Sequence, residues 1–187
     1  MILPIYAFGQ PILKKVAKPI EADYEGLDML IQNMWETMYH ANGVGLAAPQ
    51  IGLPIRLFMV DSEQMMEEEK DKGTGVKKVF INAQKIEEGG DPWDFEEGCL
   101  SIPDVRGDVN RPAQLRLRFM DENFVKKEEL FTGINARVIQ HEYDHIDGIL
   151  FIKHLKPIKR RLVKRKLEDI KKGIVSADYK MKFARLK

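Results

Sequence analysis

The stretch His141-Glu142-Tyr143-Asp144-His145 decides how the rest of the chain is read. In a helix, residues four apart share a face, so the two imidazoles point the same way. Two histidines so placed can grip one metal ion, and the Glu beside the first can take a proton from water activated there. At about 100° per residue, Ile134, Val138, His141 and His145 fall within one arc, and Ile139, Tyr143 and Ile146 within another nearly opposite. A helix apolar on two sides is enclosed by its fold. Enclosed imidazoles and carboxylates need partners, because buried polar groups without them are costly. A metal would satisfy both histidines; the plainer reading is two hydrogen-bonded core histidines.

HExxH occurs by chance in many helices, so the reading depends on a third ligand. The chain fits H-E-x-x-H-x-x-G as far as Gly148, but Phe151 stands where long-motif zinc proteases place their third His, and His154 lies three residues too far. An acidic ligand farther on would have to be Glu168 or Asp169, both in a basic tail helix. The better candidate is upstream. Cys99 is the only thiol and sits in the polar stretch Glu97-Gly98-Cys99-Leu100-Ser101. One Cys and two His leave a coordination position open, the pattern of catalytic rather than structural sites. A lone Cys is more often a small core residue, but such a residue has apolar neighbours.

Working outward, Gly26 to Ala41 has apolar residues at helical spacing (Leu27, Leu30, Ile31, Met34, Met38), and Asn42-Gly43 stops it. Gly43-Val44-Gly45-Leu46-Ala47-Ala48-Pro49-Gln50 carries little side-chain bulk, so its backbone can be approached closely. Ile55 to Val60 reads as a buried strand, Ser62 to Gly75 as a polar mobile excursion, Val79 to Ile81 as a short strand, and Lys85 to Asp94 as a turn-rich connection. Glu96 to Pro103 reads as a turn, and Asp104 to Pro112 is rich in turn formers. Leu115, Leu117 and Phe119 alternate with Arg116 and Arg118, which predicts a half-buried strand. Asp121-Glu122-Asn123 then turns the chain into a return strand, Val125 to Phe131. Thr132 is a candidate N-cap for the motif helix, and Gly133 and Ala136 would let another element pack close. After Pro157 a basic helix runs to about Lys172, with Ile158, Leu162, Val163, Leu167 and Ile170 inward. No strand–helix–strand alternation appears, so the class is α+β: mainly antiparallel sheets around a central HExxH helix, plus a C-terminal helix.

The 187 residues carry no repeat or low-complexity linker and suit one domain, 1–187, with 157–187 as its basic helix and tail. Hydrophobic content is 44% and charged content 32%, ordinary for a globular protein. No apolar run approaches the roughly 20 residues that span a membrane, and the first residues lack a basic n-region and cleavage site. A cytoplasmic protein with no membrane partner and no internal disulfide is expected. The net charge of +1 hides an asymmetry. From Lys153 onward there are 14 Lys+Arg against 3 Asp+Glu, a net of +11, and the remaining 16 against 26 give −10. A basic tail suits an anionic partner, nucleic acid included, unless it is simply a solvated helix.

In order and spacing, GVGLAAPQ at 43–50, EGCLS at 97–101 and QHEYDH at 140–145 resemble the three motifs of the peptide deformylase family, and the likeness extends over nearly the whole chain. The resemblance implies hydrolytic removal of the formyl group from the N-terminal formylmethionine of nascent polypeptides, with release of formate. It makes Cys99, His141 and His145 the metal ligands and Glu142 the general acid and base. The Gln50 side chain and the Leu100 N–H become the oxyanion donors. Gly45 would meet the peptide backbone, Val44 and Val138 the methionine side chain, and Arg106 the residues beyond it. The implied cofactor is one divalent ion, Fe(II) in the cell, with Zn, Ni or Co taken up in purified protein. The implied partners are N-formylmethionyl peptides and the ribosome, the latter met by the C-terminal helix, and a monomer is expected. The chain departs from the family pattern in a long 62–75 segment, in Asn82-Ala83 where Asn-Pro is common, and in Lys153 where Asp is common. Two other readings compete: an HExxH endopeptidase, and a structural metal module with a partner-binding tail.

Overall fold

The computed structural model describes residues 1–66 and 73–184. In chain order the elements are β1 (Ile5–Tyr6), α1 (Leu27–His40), β2 (Gly45–Ala47), β3 (Leu57–Asp61), β4 (Lys77–Gly89), β5 (Trp93–Cys99), β6 (Ile102–Arg111), β7 (Gln114–Met120), β8 (Lys126–Thr132), α2 (Gly133–Ile146), α3 (Pro157–Lys171) and β9 (Met181–Lys182). Strands β2-β3-β4-β7-β8 form one antiparallel sheet, β5 and β6 form a hairpin, and β1 pairs in parallel with β9.

Antiparallel strands with one buried face supply an apolar bed for a helix. Here the bed is a row of rings. Phe58, Phe80, Phe119 and Phe131 come from β3, β4, β7 and β8, and successive centroids lie 4.7, 4.6 and 6.3 Å apart. They share a core with Val138, Ile139, Tyr143 and Ile146, so α2 lies across the sheet. The opposite flank of α2 faces the β5–β6 hairpin, reached by hydrogen bonds from Arg137 to the carbonyls of Val109 (2.9 Å) and Trp93 (2.6 Å). Every residue from Ala136 to Ile146 is buried, as the two-sided apolar pattern predicts. The α+β class, the antiparallel majority and all three helices agree with the sequence reading.

Several local readings are corrected. The segment 85–94 is not a turn-rich connection: β4 runs on to Gly89, and Gln84 to Glu88 are exposed, so no apolar alternation marks them. Residues 104–111 are strand, not turn. The inward positions of β6 are Ile102, Val105, Gly107, Val109 and Arg111, and a glycine and an arginine break the apolar period. The turn is confined to Leu100-Ser101, between β5 and β6. On α3, Val163, Leu167 and Ile170 face inward, but Ile158 and Leu162 are 77% and 73% exposed, because they lie on the opposite side of the wheel. Gly133 has open space where a Cβ would stand, and its φ of +56° is what calls for glycine. Thr132 occupies the N-cap position, but its side chain makes no capping bond. Residues 67–72 of the acidic excursion lie outside the described residues.

Candidate active site

Each motif histidine presents one nitrogen to the same point. His145 Nε2 lies 3.3 Å from Cys99 Sγ, and the ligand atoms of Cys99, His141 and His145 all fall within 4.8 Å of one another. Two ligands of one tetrahedral ion, at bond lengths of about 2.3 Å (sulfur) and 2.0–2.1 Å (nitrogen), stand roughly 3.6 Å apart. The set therefore fits one divalent ion with little rearrangement. His145 Nδ1, which faces away from that point, and Glu142 Oε2 are buried without a hydrogen-bond partner among the described residues.

The other nitrogen of His141, Nδ1, is 2.9 Å from Glu97 Oε2. Glu97 is the centre of a buried network. Arg111 bonds it through Nε (2.7 Å) and Nη2 (3.0 Å), and Arg137 through Nη1 (3.1 Å). Arg111 also reaches Asp144 Oδ2 at 2.8 Å, and the same oxygen meets His154 Nε2 at 2.9 Å. His154, too far along the chain to be a ligand, thus joins the support behind the ligands. Burial pushes the Glu97 carboxyl up, but the hydrogen bonds and charges of His141 and Arg111 outweigh it and hold it well below the usual range. Its stabilising contribution is complete above the ordinary carboxylate pKa and is lost as pH falls toward the depressed one. Glu97→Gln leaves two buried guanidiniums short of a counter-charge. The expected cost is about 3–5 kcal/mol of stability and a roughly 10–100-fold weaker metal affinity, read by denaturant unfolding and by metal titration. Unchanged values in both would remove Glu97 from this supporting role.

Titration properties of the ion-free site follow from burial. Burial, and then the His141 charge, push the His145 imidazole down to about 3, which keeps it neutral and free to ligate. Burial also acts to lower His141, but hydrogen bonds to Cys99 and Glu97 win and raise it. Metal binding must displace that proton. Burial pushes Glu142 up to about 7 in the ion-free site. Glu142 is on the same helix as the histidines and reaches Gly45 of β2, where a Cβ would stand 2.5 Å from its Oε1. Glycine at 45 is therefore required by the carboxylate.

Gln50 lies in a short 3-10 turn, Ala48–Ile51. Its Oε1 accepts the Ala47 N–H at 2.8 Å, which turns Nε2 toward Cys99 Sγ (3.6 Å) and Ser101 Oγ (3.3 Å). Gln50, Cys99, His141 and Glu142 line one cleft of about 1400 Å³, together with Val44, Val138, Phe95 and Leu100. β2 is the edge strand of its sheet and borders this cleft. Arg106 stands on the rim, its side chain 70% exposed and 3.8 Å from Glu96. Phe151 packs its ring 5.9 Å from that of His141, so the position of a downstream third His is filled by packing.

Nine of the ten sequence-predicted site residues thus border one cleft, and the tenth, His145, joins them through its cluster with Cys99 and His141. Sequence reasoning missed Glu97 as an anchor, Arg111, Arg137, Asp144 and His154. Only Glu97 and Asp144 lay within the quoted motifs, and nothing in the text marked either as buried.

A family model described as polypeptide deformylase matches residues 2–161. The peptide deformylase of Christiangramia forsetii is 54% identical, over 100% of this chain and 98% of that protein. That of Flavobacterium psychrophilum is 52% identical, over 97% of each. Among solved structures, a peptide deformylase from Legionella pneumophila superposes with a TM-score of 0.78 at 36% identity, over 92% of this chain and 96% of that one. With these likenesses added to the site geometry, the chain belongs to the polypeptide deformylase family, metallohydrolases that remove the N-formyl group from nascent peptides.

Proposed function

We propose that residues 1–187 form one catalytic unit that deformylates N-formylmethionyl peptides, with Cys99, His141 and His145 as ligands of a single divalent ion. The observation that carries this reading is convergence: the Cys99 thiol and the two motif imidazoles lie within 4.8 Å of one another, and Cys99, His141, the Gln50 amide and the Glu142 carboxylate line one cleft. When bound, the ion supplies an acidified water and positive charge beside the formyl oxygen. Glu142 accepts the proton of the attacking water and passes it to the leaving amine. Gln50 Nε2, fixed by the Ala47 N–H, and the Leu100 N–H donate to the oxygen as its charge grows. An amide suits this place because it donates without adding charge.

The methionine side chain lies against Val44 and Val138, beside the ligands in the cleft. The peptide runs along the free edge of β2 at Gly45, as an added strand, and Arg106 on the rim meets the residues beyond methionine. Formate release from a formyl-Met tripeptide tests the activity, with casein as the control substrate. Casein cleavage without formate release would favour an endopeptidase instead.

A Cys/His/His set accepts Fe(II), Zn, Ni or Co; Fe(II) is proposed as the ion in the cell, in a cytoplasmic monomer. Metal analysis of anaerobically purified protein, with activity per metal, and its mass in solution test these points. No helix among the described residues is long and apolar enough to cross a membrane. The outer face of α3 is proposed to dock on the ribosome. Exposed Ile158 and Leu162 lie there with Arg161 and Arg165, so basic and apolar groups share one surface. Arg161→Glu with Arg165→Glu is expected to abolish salt-sensitive ribosome cosedimentation; undiminished binding would exclude this face.

A further inference from the structure

Beyond α3 the chain turns at Gly173 (φ +74°) and runs back along the cleft, where Ser176 to Tyr179 form part of the wall. This segment lies outside the residues matched by the family model. It is tied to the start of the chain. The N–H groups of Ile5 and Ala7 donate to the carbonyls of Lys180 (2.8 Å) and Lys182 (3.0 Å). Gln10 Nε2 adds bonds to the carbonyls of Lys182 (3.1 Å) and Phe183 (2.8 Å).

So anchored, the tail sends one side chain inward. The half-buried Tyr179 packs against the α1–β2 core, and its hydroxyl donates to the Leu100 carbonyl at 2.8 Å. The next carbonyl, that of Ser101, accepts the Phe8 N–H at 2.8 Å. The two peptide groups of the Leu100-Ser101 turn are thus gripped by the two ends of the chain, which are themselves hydrogen-bonded together. This turn follows ligand Cys99 at an irregularity in the β5–β6 register. A turn between irregularly paired strands has few ladder bonds of its own to fix it.

We infer that Tyr179 is a positioning residue for deformylation: its hydroxyl holds the Leu100 carbonyl and thereby aims the Leu100 N–H and sets the place of Cys99. The inference rests on the reading of Leu100 as an oxyanion donor. The Leu100 carbonyl and N–H flank one Cα, so fixing the first restrains the dihedrals that direct the second. Misplacement by about 1 Å can cost a hundredfold in rate, and loss of one such donor costs 10²–10³.

The test is Tyr179→Phe in the full-length, metal-loaded enzyme. It keeps the ring and removes only the hydroxyl, so the cleft wall stays packed. The expected result is kcat lower by roughly tenfold, a fraction of the loss on removing a donor, with KM and metal content unchanged. Hydrogen exchange of the 100–102 amides accelerates while that of Ile5 and Ala7 in the β1–β9 pairing does not. Faster exchange at Ile5 and Ala7 with kcat unchanged would overturn the proposal in favour of a purely structural tail. Faster exchange at 100–102 with kcat unchanged would also overturn it, and would place the failure in the oxyanion reading of Leu100. No change in either would mean that the hydroxyl holds nothing.

Discussion

Glu142→Gln is expected to keep its metal and lose its turnover. The carboxylate is not part of the Cys99/His141/His145 set, so metal per chain should be unaltered. The amide has nearly the same shape, and the Gly45 contact that demands a small neighbour is preserved. What disappears is a group able to accept and return a proton. General acid–base catalysis is worth about 10²–10⁴-fold, and kcat for formate release should fall by that amount. Stability should not fall with it. Glu142 Oε2 is buried without a partner, and burial pushes this carboxyl up to about 7, so a neutral side chain relieves a cost carried by the fold. A variant within a few-fold of wild-type kcat would remove Glu142 from this role.

Cys99→Ser attacks the proposed ligand set itself. A serine hydroxyl is a poor ligand at neutral pH, because the anionic sulfur and its polarisability are both lost. Metal affinity should fall by more than the roughly 10–100-fold typical of outer partners, and activity should fall with occupancy. The fold should persist, since Cys99 sits at the cleft and the Glu97–Arg111–Arg137 network does not use it. Equilibrium dialysis against a metal buffer measures the loss, and a fully metallated, active variant would return the search to an acidic ligand downstream.

The elements whose chemistry repeats along the chain were readable from sequence. The motif helix announces itself by two apolar arcs, α1 by one, and β7 by strict alternation. What failed to register were strands whose inward positions are not apolar. In β6 the inward set includes Gly107 and Arg111. The glycine is there because Leu155, just before α3, and Lys159, in its first turn, press within 2.7 and 3.1 Å of where its Cβ would be. The arginine is there because Glu97 and Asp144 are its partners. Neither reason exists until the tertiary structure does. The grouping of Cys99, Gln50 and the two histidines was legible because each has telling neighbours in the sequence, and the structure brings them together. Its support was not, because Glu97 meets His141 across 44 positions and Tyr179 meets Leu100 across 79.

The pairing of Ile5–Tyr6 with Met181–Lys182 also orders events in time. Closing a loop of almost the whole chain carries the largest entropic penalty of any contact here, and contacts so distant in sequence form slowly. The sheet and α2 can assemble from residues 27 to 146 before this happens. β9 follows the other described elements in the chain, so the motif helix and its bed of rings can be in place while the Leu100 carbonyl still lacks the Tyr179 hydroxyl. Of the strand pairings described, this two-residue ribbon joins the segments farthest apart in sequence, and the cleft wall at Ser176 to Tyr179 depends on that long closure.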